Sequence, residues 1–463
     1  MTDSTFLSDF LLLSDMRTWI FIALIMILFV VMNRFEKKKI KFSTRMIVGT
    51  LMGFGLGLVI QWVAGFPSVP GDVQWLSEIS SWYGLVGNGF MDLLKMLVVP
   101  LVFLSIVRVI MNMKGENLGK MTARTIGMLV GTTLIAAVLG IIIGQFFNLG
   151  KGITVESGTA QIREITNIVD TLRGLLPSNP VAAMAEGNIV AIVIFAAFIG
   201  IAIRRLSKKH SEVIDPFVKW VEAFYKIILS VAMTIIKFMP YAVIALFANT
   251  ITSRGVDVLG SVFKFIIAIY VGILLMLVVH LIIALLNGVG PKTYIQNAIE
   301  PLVLAFTSRS SLGTLPVTIE TLHQKFGVDE GVASFVGSLG SNMGMNGCAG
   351  LYPSLTAMML AQMIGVKMDL SFFIMLTVVI AISSFGIAGL PGSATLAISV
   401  VISGMGMGEY FPLLGAIIAI DPILDMGRTM LNVNGTMLSA LVVDKSLKIK
   451  GLSSSNEYAK QDA

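Results

Sequence analysis

The sequence predicts an all-α polytopic membrane protein, and three observations carry that reading. Of its 463 residues 56% are hydrophobic and 13% charged, about half the charged share of an average soluble domain. Apolar segments approaching the roughly 20 residues that cross a bilayer follow one another at 17–32, 46–64, 85–111, 125–147, 189–203, 227–248 and 262–286. Beyond Pro291 the apolar signal is repeatedly broken by Gly, Ser and Pro, and ionisable residues recur at helical spacing inside the last hydrophobic stretch, 411–443.

The first span follows an acidic start without Lys or Arg, unlike the basic beginning of a signal peptide, and is expected to be a retained helix. Cations cluster at 34–45, 114–124, 204–209 and 445–450. These alternate correctly with the spans if each is cytoplasmic, which places the N-terminus outside and the C-terminus inside the cell membrane. Residues 66–80 carry acids and no Lys or Arg, and 150–186 is long and polar, so both read as external, the second with short helices. The formal charge of +6 therefore reflects topology rather than a nucleic-acid groove. Lys37, Lys38 and Lys39 belong to that topology signal, and the polar tail after Leu452 is expected to be disordered. Cys348 is the only cysteine, which excludes an internal disulfide.

Two of the late interruptions are alike. Thr307-Ser308-Arg309-Ser310-Ser311-Leu312-Gly313-Thr314-Leu315-Pro316 and Ser383-Ser384-Phe385-Gly386-Ile387-Ala388-Gly389-Leu390-Pro391-Gly392-Ser393-Ala394 each lie between arms too short to cross comfortably. Irregular backbone at membrane depth persists only where protein buries it or water reaches it. A pair of such segments in corresponding positions is the inverted-repeat signature of secondary transporters; ordinary helices kinked by Gly and Pro are the alternative. A third break spans 340–350, where small and amide residues either unwind a helix to offer carbonyl oxygens to a cation or allow close helix packing. In the last stretch Asp421, Asp425, Arg428, Thr429 and Asn432 share one helix face. A charge at bilayer depth costs about 2.5–3.5 kcal/mol, so such residues pair and mark a solute path; a purely structural Asp425–Arg428 lock is the bland alternative.

Ser308-Arg309-Ser310-Ser311 before Gly313-Thr314-Leu315-Pro316, the turn Gly389-Leu390-Pro391-Gly392, and Asp425-Met426-Gly427-Arg428-Thr429 with Asn432 together resemble the dicarboxylate/amino acid:cation symporter family of glutamate-transporter homologues. Leu94-Lys95-Met96-Leu97-Val98-Val99-Pro100-Leu101 looks like the second core helix of that family. Within it the chain is most similar to the bacterial L-cystine uptake branch. The extra N-terminal helix, Trp82-Tyr83-Gly84-Leu85-Val86-Gly87 and Asn346-Gly347-Cys348-Ala349-Gly350-Leu351-Tyr352-Pro353 carry that likeness, whereas the 389–392 turn looks more like the dicarboxylate carriers.

The resemblance implies a glutamate-transporter-homologue fold with about nine transmembrane helices, two re-entrant hairpins and inverted repeats. It further implies a homotrimer in which a static scaffold holds a transport domain that moves as an elevator. The division would be 1–44 (extra helix and basic loop), 45–112 (scaffold helices 1–2), 113–149 (transport helix 3), 150–257 (scaffold helices 4–5 with the excursion), 258–444 and a tail at 445–463. The 258–444 part would hold helix 6, hairpin 1 near 295–323, helix 7, hairpin 2 near 370–407 and helix 8. Asp425 would receive the substrate ammonium. Asn432 with backbone of Ser310 and Ser311 would hold its α-carboxylate, and Arg428 would read a distal carboxylate bidentately. Thr429 and Cys348 would line the pocket, Ala394 would belong to the lid, and Leu390, Pro391, Gly392 and Ser393 to the outer gate. Arg309, at the first hairpin tip, would gate rather than bind, with an acid of the eighth helix or solvent as its partner.

For ion coupling the resemblance points to Gly344, Asn346, Asn432, Thr436, Thr132, Thr133 and Asp421. Two carboxylates of the glutamate carriers correspond here to Asn346 and Thr436, so fewer coupled sodium ions are expected, with proton coupling open through Asp421. No cofactor is expected. The favoured reading is a cation-coupled L-cystine importer working on a small amino-acid substrate in the lipid bilayer. A glutamate/aspartate symporter shares the mechanism, and an anion channel using Arg309 and Arg428 is the reading from another class. A membrane enzyme is disfavoured, since His210, His280 and His323 have no metal-ligand spacing and read as interfacial or packing residues. The 28 methionines read as adaptable apolar filler.

Overall fold

The structure, a computed structural model, describes residues 10–67, 69–111, 116–151, 178–186, 188–256, 258–386 and 394–449. Among these residues all regular structure is helical, as expected of a backbone that must satisfy its own N–H and C=O groups in hydrocarbon. The first half comprises α1 (Met16–Lys37), α2 (Phe42–Ala64), α3 (Gln74–Met96), α4 (Val98–Met111), α5 (Glu116–Phe146), α6 (Pro180–Ala185), α7 (Ile189–Leu206), α8 (Ser211–Lys237) and α9 (Met239–Arg254). The second comprises α10 (Val258–Leu286), α11 (Pro291–Ser308), α12 (Ser311–Phe326), α13 (Glu330–Gly340), α14 (Tyr352–Met363), α15 (Leu370–Ser383), α16 (Ala394–Gly404), α17 (Gly415–Ala419) and α18 (Asp421–Ile449).

Five described helices are long and apolar enough to cross a membrane, α3 and α4 counting as one, and two bent pairs raise the number to seven. The bends correct the sequence reading. Segment 227–248 is not one helix: α8 ends at Lys237, and α9 leaves at 52° with Pro240 in its first turn, where a missing N–H is harmless. The 411–443 stretch begins as a tight turn, Gly408–Leu414, then α17, and bends by 86° into α18, whose second residue is Pro422. Segment 85–111 is interrupted at Leu97. In the excursion, Asn179 caps α6 by accepting from the N–H groups of Val181 and Ala182; residues 152–177 lie outside the described residues.

Helix α1 is tied to α3 by polar contacts. The buried Glu78 carboxylate accepts from Thr18 Oγ1 at 2.7 Å and from the backbone N–H and hydroxyl of Ser14, while Tyr83 donates to Phe21 O at 2.7 Å. The α2–α9 contact rests instead on absence of side chains. Gly49, Gly53 and Gly57 repeat every four residues, and a Cβ on them would lie 2.8 Å from Pro240 O, 2.6 Å from Ile244 O and 2.8 Å from Ile251 Cβ. This is the small-xxx-small way of bringing membrane helices together. A second packed body joins α5 and α10–α14 around α18, which is buried along nearly its whole length. The outward face of α10 remains apolar and exposed at Leu274, Val278, Ile282 and Leu286, as a lipid-facing surface would.

Gly53→Val forces α2 away from the α9 backbone and should destabilise the protein by about 1–3 kcal/mol, seen as a lower melting temperature of purified protein. Gly55→Ala, where a Cβ meets nothing within 4 Å, should leave that temperature unchanged.

Candidate functional site

The site is assembled where two interruptions of regular structure meet α18. Helices α11 and α12 are joined by a turn at Arg309, whose backbone is left-handed (φ 57°), and Ser310 starts α12 by accepting from Gly313 N–H at 3.0 Å. Helix α13 stops at Gly340, and the chain resumes as a wide turn over Asn346–Leu351 before α14. This broken helix needs a cap. Asn432 of α18 supplies it, its Oδ1 accepting from Gly347 N at 2.7 Å and Cys348 N at 3.1 Å, while its Nδ2 donates to Cys348 Sγ at 3.1 Å. The approach requires glycine at 347, where a Cβ would lie 2.5 Å from Arg428 O.

Four buried charges sit above this cap. Arg428 is fully buried and donates through Nη2 to Asp421 Oδ1 at 2.5 Å and to Asp425 Oδ1 at 3.2 Å. Arg309 comes from the turn and donates through Nε to Asp425 Oδ2 at 3.2 Å. Thr429 Oγ1 also reaches Asp425 Oδ1, at 3.3 Å. The Arg428 guanidinium lies 3.8 Å from the centre of the Tyr352 ring, a cation–π contact in a dehydrated setting. Two positive and two negative groups make the cluster formally neutral, yet hydrogen-bonding capacity is left over. Arg428 Nε and Nη1, Arg309 Nη1 and Nη2, and Asp421 Oδ2 are buried with no hydrogen-bond partner among the described residues. Unpaired guanidinium N–H groups in a dry site favour an incoming carboxylate.

The structure thus brings Arg309, Ser310, Ser311, Cys348, Asp425, Arg428, Thr429 and Asn432 to α18 and the two breaks beside it, with Ala394 buried at the start of α16. Leu390, Pro391, Gly392 and Ser393 lie outside the described residues. The cation candidates do not form one shell. Asn346 Nδ2 donates to Thr132 Oγ1 at 2.9 Å and Thr133 Oγ1 at 3.2 Å. Thr436 donates to Asn432 O at 3.0 Å, Gly344 N–H bonds Ser384 O, and Asp421 is engaged by Arg428. A sodium ion needs oxygen ligands. At Thr132, Thr133 and Asn346 an N–H already fills the position between the hydroxyls, so this trio does not fit a cation as it stands.

Sequence reasoning missed Tyr352 under Arg428 and the hydrogen bond made by His280. The imidazole is fully buried and bonded to Asn434, 2.8 Å from Nδ1, rather than merely packed. Neither residue stands in a charged motif, and a hydrophobic neighbourhood hides both from periodicity.

The model of the sodium:dicarboxylate symporter family matches residues 42–446 of this chain. Among curated proteins the L-cystine uptake protein TcyP of Bacillus licheniformis is 38% identical over 427 residues, covering 89% of this chain and 91% of its own. The protein of the same name from Shouchella clausii is 36% identical over 447 residues, 92% and 94% of the two chains, and that from Bacillus cereus 35% over 443 residues, again 92% and 94%.

Asp425→Ala leaves two buried arginines short of a counter-charge and should cost about 3–5 kcal/mol of stability. Thermal unfolding of the purified variant checks this, and Thr429→Val, which removes only one long hydrogen bond, should cost about 1 kcal/mol.

Proposed function

The chain belongs to the sodium:dicarboxylate symporter family, is a multi-pass membrane transporter and not an enzyme, and from that premise we propose that it imports L-cystine by a cation-coupled mechanism. The observation that carries the substrate is the neutral cluster of Asp421, Asp425, Arg309 and Arg428 with its unfilled N–H groups. L-cystine has two ammonium and two carboxylate groups and no net charge at neutral pH. It can enter such a site without stranding a charge, whereas glutamate or aspartate brings one uncompensated negative charge into a region where that is costly. The cystine-uptake relatives support the same choice.

In this reading Asp425 receives one ammonium, displacing Arg309 from its carboxylate. The Asn432 amide with backbone at Ser310 and Ser311 holds the adjacent carboxylate. Arg428 turns its free N–H groups to the distal carboxylate, with Thr429 and Cys348 lining the space between and Ala394 closing it from the lid. Arg309 and the 390–393 segment act as gates. The fold would be the glutamate-transporter-homologue fold with two re-entrant hairpins, α11–α12 forming the first. A homotrimer would carry α2–α4 and α7–α9 as scaffold while the body around α18 moves as the elevator. The N-terminus would be outside and the C-terminus cytoplasmic. Sodium is the coupling ion that the family name suggests, and its gradient would supply the driving force; proton coupling is the second option.

A glutamate/aspartate symporter is the second reading, favoured by Gly389-Leu390-Pro391-Gly392. An anion channel is opposed by the aspartates that neutralise both arginines.

Proteoliposomes holding the purified protein should accumulate radiolabelled L-cystine when a sodium or proton gradient is imposed, and excess glutamate, aspartate or serine should not compete. Arg428→Ala should weaken cystine uptake by roughly 10–100-fold, corresponding to about 1.5–3 kcal/mol for a charged hydrogen bond. Concentrative aspartate uptake without cystine uptake would reassign the protein to the dicarboxylate reading.

A further inference from the structure

Below the charged cluster a second polar system crosses the same body, and the transport reading does not use it. Tyr294 of α11 donates its hydroxyl to Asn434 Oδ1 at 2.9 Å. In that amide orientation Asn434 Nδ2 faces His280 Nδ1 of α10 at 2.8 Å, a contact in which the neutral imidazole accepts at Nδ1. An imidazole that accepts at Nδ1 carries its proton on Nε2 when neutral. His280 Nε2 and Asn346 Oδ1 are both buried without a hydrogen-bond partner among the described residues. Asn346 Oδ1 and the imidazole Cε1, which adjoins Nε2, both lie against Gly435: a Cβ there would run into the first and lie 3.5 Å from the second. An unmatched imidazole nitrogen and an unmatched amide oxygen therefore flank the same glycine.

On its other side Asn346 meets the threonine pair. Thr132 Oγ1 donates to Met128 O at 3.0 Å or Leu129 O at 3.1 Å, and Thr133 Oγ1 donates to Leu129 O at 2.8 Å. Each hydroxyl has only one hydrogen, so only lone pairs remain facing Asn346. Lone pairs accept the amide Nδ2 readily. With both hydroxyl hydrogens kept on those carbonyls they would repel Oδ1 if the amide turned over, unless a cation lay between the three oxygens. Amide orientation and cation occupancy at this place are therefore mutually exclusive.

We propose that His280 is a positioning residue that decides this choice: by donating Nε2–H to Asn346 Oδ1 it holds the Asn346 amide with its nitrogen on Thr132 and Thr133, so that the chain's own N–H occupies the place of a cation. The inference rests on the cation-coupled reading for its functional meaning, but its geometry is independent of substrate. The relay Tyr294–Asn434–His280–Asn346 spans α11, α18, α10 and the wide turn, so a change in packing among them would reach the threonine pair through one rotating amide.

The test compares His280→Leu, which removes the donor, with His280→Gln, whose amide nitrogen can replace Nε2–H. Melting temperatures of the purified proteins are titrated with sodium chloride against choline chloride at equal ionic strength, and each variant is repeated in an Asn346→Ala background. His280→Leu should shift the sodium titration to several-fold lower concentration or add a saturable component. His280→Gln should keep the wild-type curve, and the His280→Leu effect should vanish in Asn346→Ala. An unchanged curve in His280→Leu, the same shift in both His280 variants, or a shift that survives without the Asn346 amide overturns the proposal. Should His280→Leu fail to fold, nitrogen-15 spectra of histidine-labelled wild type decide: a neutral Nε2–H tautomer at His280 whose signal moves in Asn346→Ala supports it, and an Nδ1–H tautomer overturns it. Because these readouts need no transport, failure of gradient-driven uptake would count against the transport reading alone.

Discussion

Asp425 holds two arginines that arrive from different parts of the chain, and much of the surrounding architecture is what is needed to make that possible inside an apolar body. Arg428 reaches it from one turn along α18, and Arg309 from the turn between α11 and α12. A buried carboxylate with one arginine is a lock. A buried carboxylate shared by two, one of them on an irregular turn, is an exchangeable arrangement, because losing either partner leaves the other in place. The left-handed backbone at Arg309 and the hydroxyl cap at Ser310 keep the turn short enough to present the guanidinium without extending either helix into the cluster.

The breaks create backbone groups that must be satisfied, and α18 satisfies them. Asn432 caps the wide turn and Thr436 returns its hydroxyl to the carbonyl of Asn432. Glycines at 340, 347 and 435 remove the side chains that would hold the two elements apart. Packing is therefore set by what is missing from the sequence as much as by what is there, and this is why α18 can be buried on nearly every side while carrying so many polar groups.

Much of this was legible in the residues. The Asp421, Asp425, Arg428, Thr429, Asn432 spacing gave a single face, and clusters of Gly and Ser marked the turn at 309 and the broken helix at 340–350, because each rests on local backbone chemistry. The partner of Arg309 was narrowed only to an acid of the last helix or solvent, since 116 positions separate it from Asp425. The elbows at Lys237 and Asp421 were read through as continuous apolar runs: hydropathy has no sign for direction, and Pro240 and Pro422 sit where a helix tolerates them. His280 packs in the interior, but its bond to Asn434 spans 154 positions of sequence and leaves no local pattern to read.

Helix α18 carries two kinds of polarity in succession, and their difference follows from what each can tolerate. Residues 421–429 are charged, and charge in a dry interior demands counter-charge of fixed number, so this end can change only by exchanging one ion for another. Asn432, Asn434 and Thr436 are amides and a hydroxyl, whose donors and acceptors can be re-paired by rotating a single group with no change in net charge. The first kind selects among ligands by their charge. The second answers to hydrogen-bond orientation: Asn432 divides its amide between the N–H groups of the wide turn and Cys348 Sγ, and Asn434 divides its own between Tyr294 and His280. Asn346 and Thr436 give that end of the site polarity without fixed charge, an orientational demand where Asp421 and Asp425 set an electrostatic one.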